Sequence, residues 1–286
     1  MGCLCLFKSN DFLISSFYLI IIRGISFIHI IAYLICMTNS EKYGTKLCST
    51  ADERRNTAYL AELLRNTSIP DDELCANLGL FMQRRFLSRI LLMHDLYRKI
   101  LDVPGVVIEF GVRWGQNISL FNSFRGMYEP YNYTRKVIGF DTFSGFPGKS
   151  DEDKNVKQGD YSVTEGWQKD LEEILESHDL QSPLPHIKKW ELVVGDATET
   201  FESYLSSHPE LIVSLAYFDF DIYAPTKECL KLLLPHLTKG SIVAFDELNC
   251  PEFPGETIAF QEIIGSSNVR LHRDPNNPLV SWFEVL

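Results

Sequence analysis

Four carboxylates close two short motifs, Tyr217-Phe-Asp219-Phe-Asp221 and Phe245-Asp246-Glu247, each at the end of an apolar run. Oxygen donors with no His or Cys among them suit a hard divalent cation, Mg2+ first and Mn2+ or Ca2+ as alternatives. A cation that holds two neighbouring hydroxyls lowers their pKa, and Asp219 or Asp221 could then take the proton. Acids crowded together repel one another, so the cluster calls for a cation or for protons among its members. Ordinary readings compete. Asp221 suits the cap of a helix starting near Pro225, and Asp246-Glu247 could be turn residues, although Pro251 and Pro254 delay the next helix.

Three more apolar runs end on residues suited to a ligand. Glu109-Phe-Gly111-Val-Arg-Trp-Gly115 follows the first run, Asp141 follows the second, and Gly195-Asp196-Ala197 follows the third. A glycine turn at Gly111 and Gly115 lets a methionine-like moiety lie against backbone. A carboxylate at Asp141 can accept both hydroxyl protons of a ribose. An acid beside exposed backbone at Asp196-Ala197 can read an adenine amino group. Taken singly, each has a plainer reading: a βα turn, a turn former, a helix cap. Three in succession at strand ends carry more weight than any one.

The elements that must position these residues are legible from composition. VVIEF at 106–110, KVIGF at 136–140, ELVV at 191–194, LAYFDF at 215–220 and SIVAF at 241–245 alternate with amphipathic stretches such as Leu171–Leu180 and Thr226–Leu237. Strands alternating with helices predict an α/β fold: a mostly parallel twisted sheet covered by helices on both faces, with ligands at the carboxyl ends of its strands. A last pair, Val269–Arg273 and Val280–Val285, brings the sheet to seven strands. Residues 49–103 read as helical with a break at Ser68–Asp71. A helix opened by Asp71-Asp72 continues its apolar spacing to Leu91, and Pro104-Gly105 stops the region. The polar and aromatic stretch from Gly148 to Trp190 is a candidate lid.

The motifs IEFGVRWGQN, GFDTFSGFP, GDATET, YFDFDIYAPT and FDEL, between about Pro104 and Phe260, resemble in content and order the macrocin O-methyltransferase family of class I methyltransferases. The resemblance implies a Rossmann-like methyltransferase sheet and S-adenosylmethionine as methyl donor. It further implies cofactor contacts at Glu109, Gly111, Asp141, Ser144 and Asp196, and metal ligands at Asp219, Asp246 and Glu247. It implies as acceptor a hydroxyl of a sugar, a nucleotide sugar or a glycosylated metabolite. Arg113 and Trp114 depart from the general methyltransferase pattern, which carries more glycine in this loop.

Net charge is -11. That argues against a nucleic-acid partner, which needs a basic surface. Seven cysteines form no CxxC pair, which reads as reduced thiols. Phe12–Met37 is apolar and long enough to span a bilayer, for which about 20 apolar residues suffice. It reads either as an anchor with the catalytic domain on the cytoplasmic side, or as an extension upstream of a hydrophilic start at Met37. The expected organisation is an apolar segment over residues 1–37, a helical extension over 38–103 and a cytoplasmic catalytic domain over 104–286. Any membrane contact is confined to residues 12–37, and the oligomeric state is open, a homo-oligomer included. Two rivals remain. A nicotinamide dehydrogenase would use Tyr223 and Lys227, but Pro225 lies between them and the dinucleotide glycine fingerprint is missing. A non-catalytic glycan- or partner-binding domain would not need the full set of acids.

Overall fold

The computed structural model describes residues 49–153 and 155–286, so the apolar run at 12–37 lies outside the described residues. Among those described, no helix is long and apolar enough to cross a membrane. The chain forms two compact units, one ending at Met82 and the other spanning Gln83–Leu286.

In the first unit, α1 (Ala51–Arg65) opens with a capping box, in which Thr50 and Glu53 exchange side-chain and backbone hydrogen bonds. A short α2 (Asp71–Leu74) runs into a 3-10 turn over Cys75–Phe81. The helix predicted to run on to Leu91 is interrupted here. Met82 (φ -85, ψ 119) and Gln83 (φ -75, ψ 148) are extended, and α3 (Arg84–Lys99) starts afresh. Apolar spacing persists through the break although Leu78, Met82, Phe86, Leu87 and Leu91 stay exposed, so here the periodicity marks neither a buried face nor one continuous helix.

The second unit is one sheet of seven strands: β1 (Val106–Phe110), β2 (Val137–Asp141), β3 (Trp190–Val194), β4 (Val213–Phe218), β5 (Leu237–Phe245), β6 (His272–Asp274) and β7 (Asn277–Glu284). Their order is β3-β2-β1-β4-β5-β7-β6, parallel except that β7 runs antiparallel to β5 and β6. Between them run α4 (Gln116–Tyr128), α5 (Trp167–Leu180), α6 (Ala197–Ser207), α7 (Tyr223–Leu233) and α8 (Gly255–Ile263). The fold class is the one expected.

Strand alternation divides the core in two. Val107, Val137, Leu215, Tyr217 and Ile242 pack with α3, α4 and α5 on one face. Ile108, Phe110, Phe140, Phe218 and Phe245 pack with α6, α7 and α8 on the other. Full burial of each such side chain is worth about 1.5–3 kcal/mol. Helix α3, read from sequence as part of the 38–103 extension, thus belongs with the sheet, and buries Leu92, Met93, Leu96 and Tyr97. Strand order reverses between β1 and β4, the place where open α/β sheets bind ligands.

Candidate active site

The hydrogen-bond ladder continues one step past the strand ends. Gly111 N–H donates to Phe140 O at 2.9 Å, Asp219 N–H to Phe110 O at 2.8 Å, Asp246 N–H to Phe218 O at 2.9 Å and Gly195 N–H to Asp141 O at 3.0 Å. The residues singled out from sequence are therefore carried to one edge of the sheet, where they line a cavity of about 330 Å3. Gly115, Asp196 and Ala197 line it too. Ser144 does not: it is exposed, and its N–H donates to Thr142 Oγ1 at 3.1 Å.

On the β1–β3 side the backbone supplies the shape. A Cβ on Gly111 (φ 90) would lie 2.1 Å from Asp219 O, so the turn after β1 passes β4 at a distance only glycine allows. Arg113, itself at φ 49, donates its N–H to Asp141 Oδ2 at 2.7 Å, and Phe143 N–H donates to Oδ1 at 2.6 Å. Burial pushes the Asp141 carboxyl up, and these backbone donors oppose the shift. Asp196 is both cap and lining: its Oδ1 accepts Thr198 N–H at 2.9 Å at the start of α6. Glu109 is 1% exposed, and its Oε2 has no hydrogen-bond partner. Burial and then the nearby Asp219 charge hold its carboxyl well above the usual carboxylate range.

On the β4–β5 side the acids are less alone than their sequence suggests. Arg89, from α3, spans them: Nη1 donates to Asp246 Oδ1 at 2.6 Å and Nη2 to Asp219 Oδ2 at 3.0 Å. Tyr217 OH also donates to Asp246 Oδ1. Asp221 does not cap a helix. It sits buried at φ 63, and its carboxyl is hydrogen-bonded to Glu247, with burial and then Glu247 driving its pKa well up. The cap of α7 comes from Asp153, whose Oδ1 accepts Tyr223 N–H at 3.0 Å. Glu256 on α8, fully buried, accepts N–H bonds from Phe220 at 3.1 Å, Asp221 at 3.4 Å and Glu247 at 3.2 Å, tying the two acid-bearing loops together. Asp219 is likewise held well above the carboxylate range, by burial and then by Asp246. Among the described residues no three acids, His or Cys assemble as a group that could hold a metal ion, and Arg89 bridges Asp219 and Asp246.

Arg89, Tyr217, Asp153 and Glu256 escape sequence reading. One signal was there for Glu256: a carboxylate on the first turn of a short, otherwise apolar helix, Gly255–Ile263. Tyr223 and Lys227 make a surface trio with Glu262, Lys227 Nζ donating to Tyr223 OH at 2.6 Å, and neither lines the cavity.

No family model matches the chain, and no curated protein does. Solved structures do. The crystal structure of CalS11, a calicheamicin methyltransferase, is 42% identical with a TM-score of 0.81, over 83% of this chain and 94% of CalS11. Its apo form, described as a TDP-rhamnose 3'-O-methyltransferase, gives 40% and 0.75 over 83% and 96%. The O-methyltransferase NovP, at 18% identity and a TM-score of 0.54 over 69% of this chain and 79% of its own, supports the fold alone. On this likeness the chain belongs to the S-adenosylmethionine-dependent O-methyltransferases, in the family that CalS11 represents.

Proposed function

We propose that the protein methylates a hydroxyl of a sugar or nucleotide sugar, within the macrocin-type branch of the family, and that a divalent cation assists. One observation carries the reading. Residues fit for the donor (Gly111, Asp141, Asp196) and residues fit for a hydroxyl (Asp219, Asp246, Glu247) line the same cavity. The sugar comes from the likeness to CalS11. The catalytic domain is residues 104–286 with α3 added to it. A cytoplasmic location is part of the proposal, supported by Cys75, Cys229 and Cys250, which are free thiols.

The donor supplies a sulfonium-bound methyl group. The residues fit it: Glu109 offers a buried carboxylate oxygen without a partner toward a cationic ligand, and Gly111 leaves backbone bare where a methionine moiety would lie. Asp141 would hold the ribose, and Asp196 and Ala197 would flank the adenine, with Gly115 closing the turn. When bound, the donor would supply its methyl group to the acceptor oxygen, and Asp219 would take the hydroxyl proton. Asp221, engaged with Glu247, is the second candidate base.

By donor chemistry alone a hard cation suits three of the acids, although the structure does not bring them together as a group that could hold one. Asp219, Asp246 and Glu247 are all-oxygen, and Glu247 Oε2 is buried without a partner. These three would hold it, and when bound it would acidify the acceptor hydroxyl. The test is incubation with labelled adenosylmethionine and a panel of nucleotide sugars, with and without EDTA. Methyl transfer to a sugar, abolished by Asp219→Asn and by chelation, is expected. Tight NAD binding without adenosylmethionine binding would overturn the reading.

A further inference from the structure

The first turn of α8 gathers the backbone of both acid-bearing loops. Asp219 has its own N–H on Phe110 O at 2.8 Å, and the N–H that follows it, from Phe220, is on Glu256 Oε1 at 3.1 Å. Asp246 repeats the arrangement: its own N–H is on Phe218 O at 2.9 Å, and the next, from Glu247, is on Glu256 Oε2 at 3.2 Å. Each aspartate thus has the peptide before it fixed by a neighbouring strand and the peptide after it fixed by one shared carboxyl group. Glu256 Oε1 also accepts Asp221 N–H at 3.4 Å, and Thr257 Oγ1 accepts Asn249 N–H at 2.8 Å. Gly255 completes the turn by close approach, since a Cβ there would lie 2.4 Å from both Asp153 Oδ1 and Tyr223 N.

The backbone held in this way is strained. Asp221 at φ 63 and Asn249 at φ 64 are left-handed, a conformation that costs any residue with a side chain, and the N–H of each is bonded to α8. Strain of this kind persists only where the surroundings over-determine it, and it gathers at functional sites. Glu256 itself is fully buried and does not line the cavity. We propose that Glu256 is a positioning residue for methyl transfer: it fixes the direction in which Asp219 enters the cavity, without lining the cavity itself. This rests on the reading of Asp219 as the base. Three N–H groups converge on two oxygens, which a carboxyl group can accept. A glutamine keeps one acceptor oxygen and turns an NH2 group toward an N–H, so one of the two loops loses its anchor.

The experiment compares the full chain as wild type, Glu256→Gln, Glu256→Asp and Asp219→Asn. Calorimetry counts adenosylmethionine sites and gives Kd, and labelled adenosylmethionine with the panel of nucleotide sugars gives kcat and KM. Glu256→Gln should lower kcat per adenosylmethionine site about 10- to 100-fold, the loss expected when a reacting group is misplaced by about 1 Å. Its Kd should stay nearly unchanged, because Gly111, Asp141 and Asp196 follow other strands. Glu256→Asp, with the same two oxygens on a shorter stem, should lose less. Native-state hydrogen exchange should show the amides of Phe220 and Glu247 opening in Glu256→Gln, with those of Asp219 and Asp246 less affected. An unchanged kcat per site in Glu256→Gln, with a lower melting temperature, would make Glu256 a structural brace and overturn the proposal. So would an equal loss of donor binding and of kcat. If Glu256→Gln does not fold, an unchanged kcat per site in Glu256→Asp overturns it instead. Full kcat in Asp219→Asn, or a wild type inert toward every sugar, overturns the reading of the site and the role of Glu256 with it. An inactive Asp219→Asn beside a fully active Glu256→Gln overturns the positioning role alone.

Discussion

Asp153 pins the loop between β2 and α5 to the body of the protein, and removing its carboxylate should open that loop. The side chain is 2% exposed, with Oδ1 accepting Tyr223 N–H at 3.0 Å and Oδ2 accepting Ser150 Oγ–H at 2.7 Å and Ser150 N–H at 3.2 Å. Only the Tyr223 bond reaches across to another element, so it sets the loss. A hydrogen bond to a charged acceptor is worth about 1.5–3 kcal/mol, and Asp153→Ala leaves the N-terminus of α7 without that acceptor. Because every 1.36 kcal/mol is tenfold in an equilibrium constant, local opening should rise about 10- to 100-fold. The reporters are Phe146 and Gly159, whose amides donate to Asp160 O and Phe146 O at 3.0 Å each. Native-state hydrogen exchange should show both losing protection by that factor, while the amides of β1 and β2 keep theirs. Adenosylmethionine should bind more weakly, because Thr142, Gly145, Phe146 and Tyr161 from this loop line the cavity. Unchanged protection at Phe146 and Gly159 would mean that the packing of Val156, Phe253 and Ile222 holds the loop, and that the carboxylate does not.

Three further outcomes are expected. Glu109 has a folded pKa raised above its unfolded value of about 4.3, so its contribution to stability is full below that value and is lost as pH rises through the folded one. Denaturation of the ligand-free protein across pH should therefore show Glu109→Gln gaining on wild type from mildly acid to neutral pH, and calorimetry should show it binding adenosylmethionine less well. Gly111→Ala adds a left-handed backbone penalty to a Cβ 2.1 Å from Asp219 O, and urea titration should find it destabilised by about 2–5 kcal/mol. Asp141→Ala should weaken adenosylmethionine by about 1–3 kcal/mol in calorimetry, with a smaller loss of stability.

The edge of the sheet that carries the site was legible because strands announce themselves. Runs of Val, Ile and Phe end where the chain turns, and the residues that follow are those that emerge at the ligand-binding edge. Glu109, Gly111, Asp141, Asp196, Asp219 and Asp246 were located in this way. Reach across the fold was not legible. Arg89 lies 130 positions from Asp219, and nothing in its local pattern separates it from Arg85 or Arg98 on the same helix. Helical periodicity says which face is buried, not which side chain at the margin extends to a carboxylate on another element. Asp221 suits the cap of α7 by sequence as one of two readings, whereas the structure supplies that acceptor from Asp153. Capping rules favour neighbours in sequence, and a loop folded over a helix end escapes them.

The way the strands end has a thermodynamic consequence. Phe110 stacks on Phe140 and Phe218 at 5.4 and 4.6 Å, and Phe218 on Phe245 at 5.1 Å. Gly111, Asp141, Asp219 and Asp246 each follow one of these residues in the chain. The turns that carry the site thus spring from one interlocked cluster of rings, fully buried, which does not itself line the cavity. In the proposed reaction, methyl transfer from a sulfonium to a hydroxyl, with the proton passing to a carboxylate, would turn one cation and one anion into neutral groups. Burial already holds the Asp219 and Asp221 carboxyls above the carboxylate range, so the discharged side would be favoured beyond its balance in water. On that proposal, what must then be restored is charge: the carboxylic acid has to give its proton back to water before it can serve again.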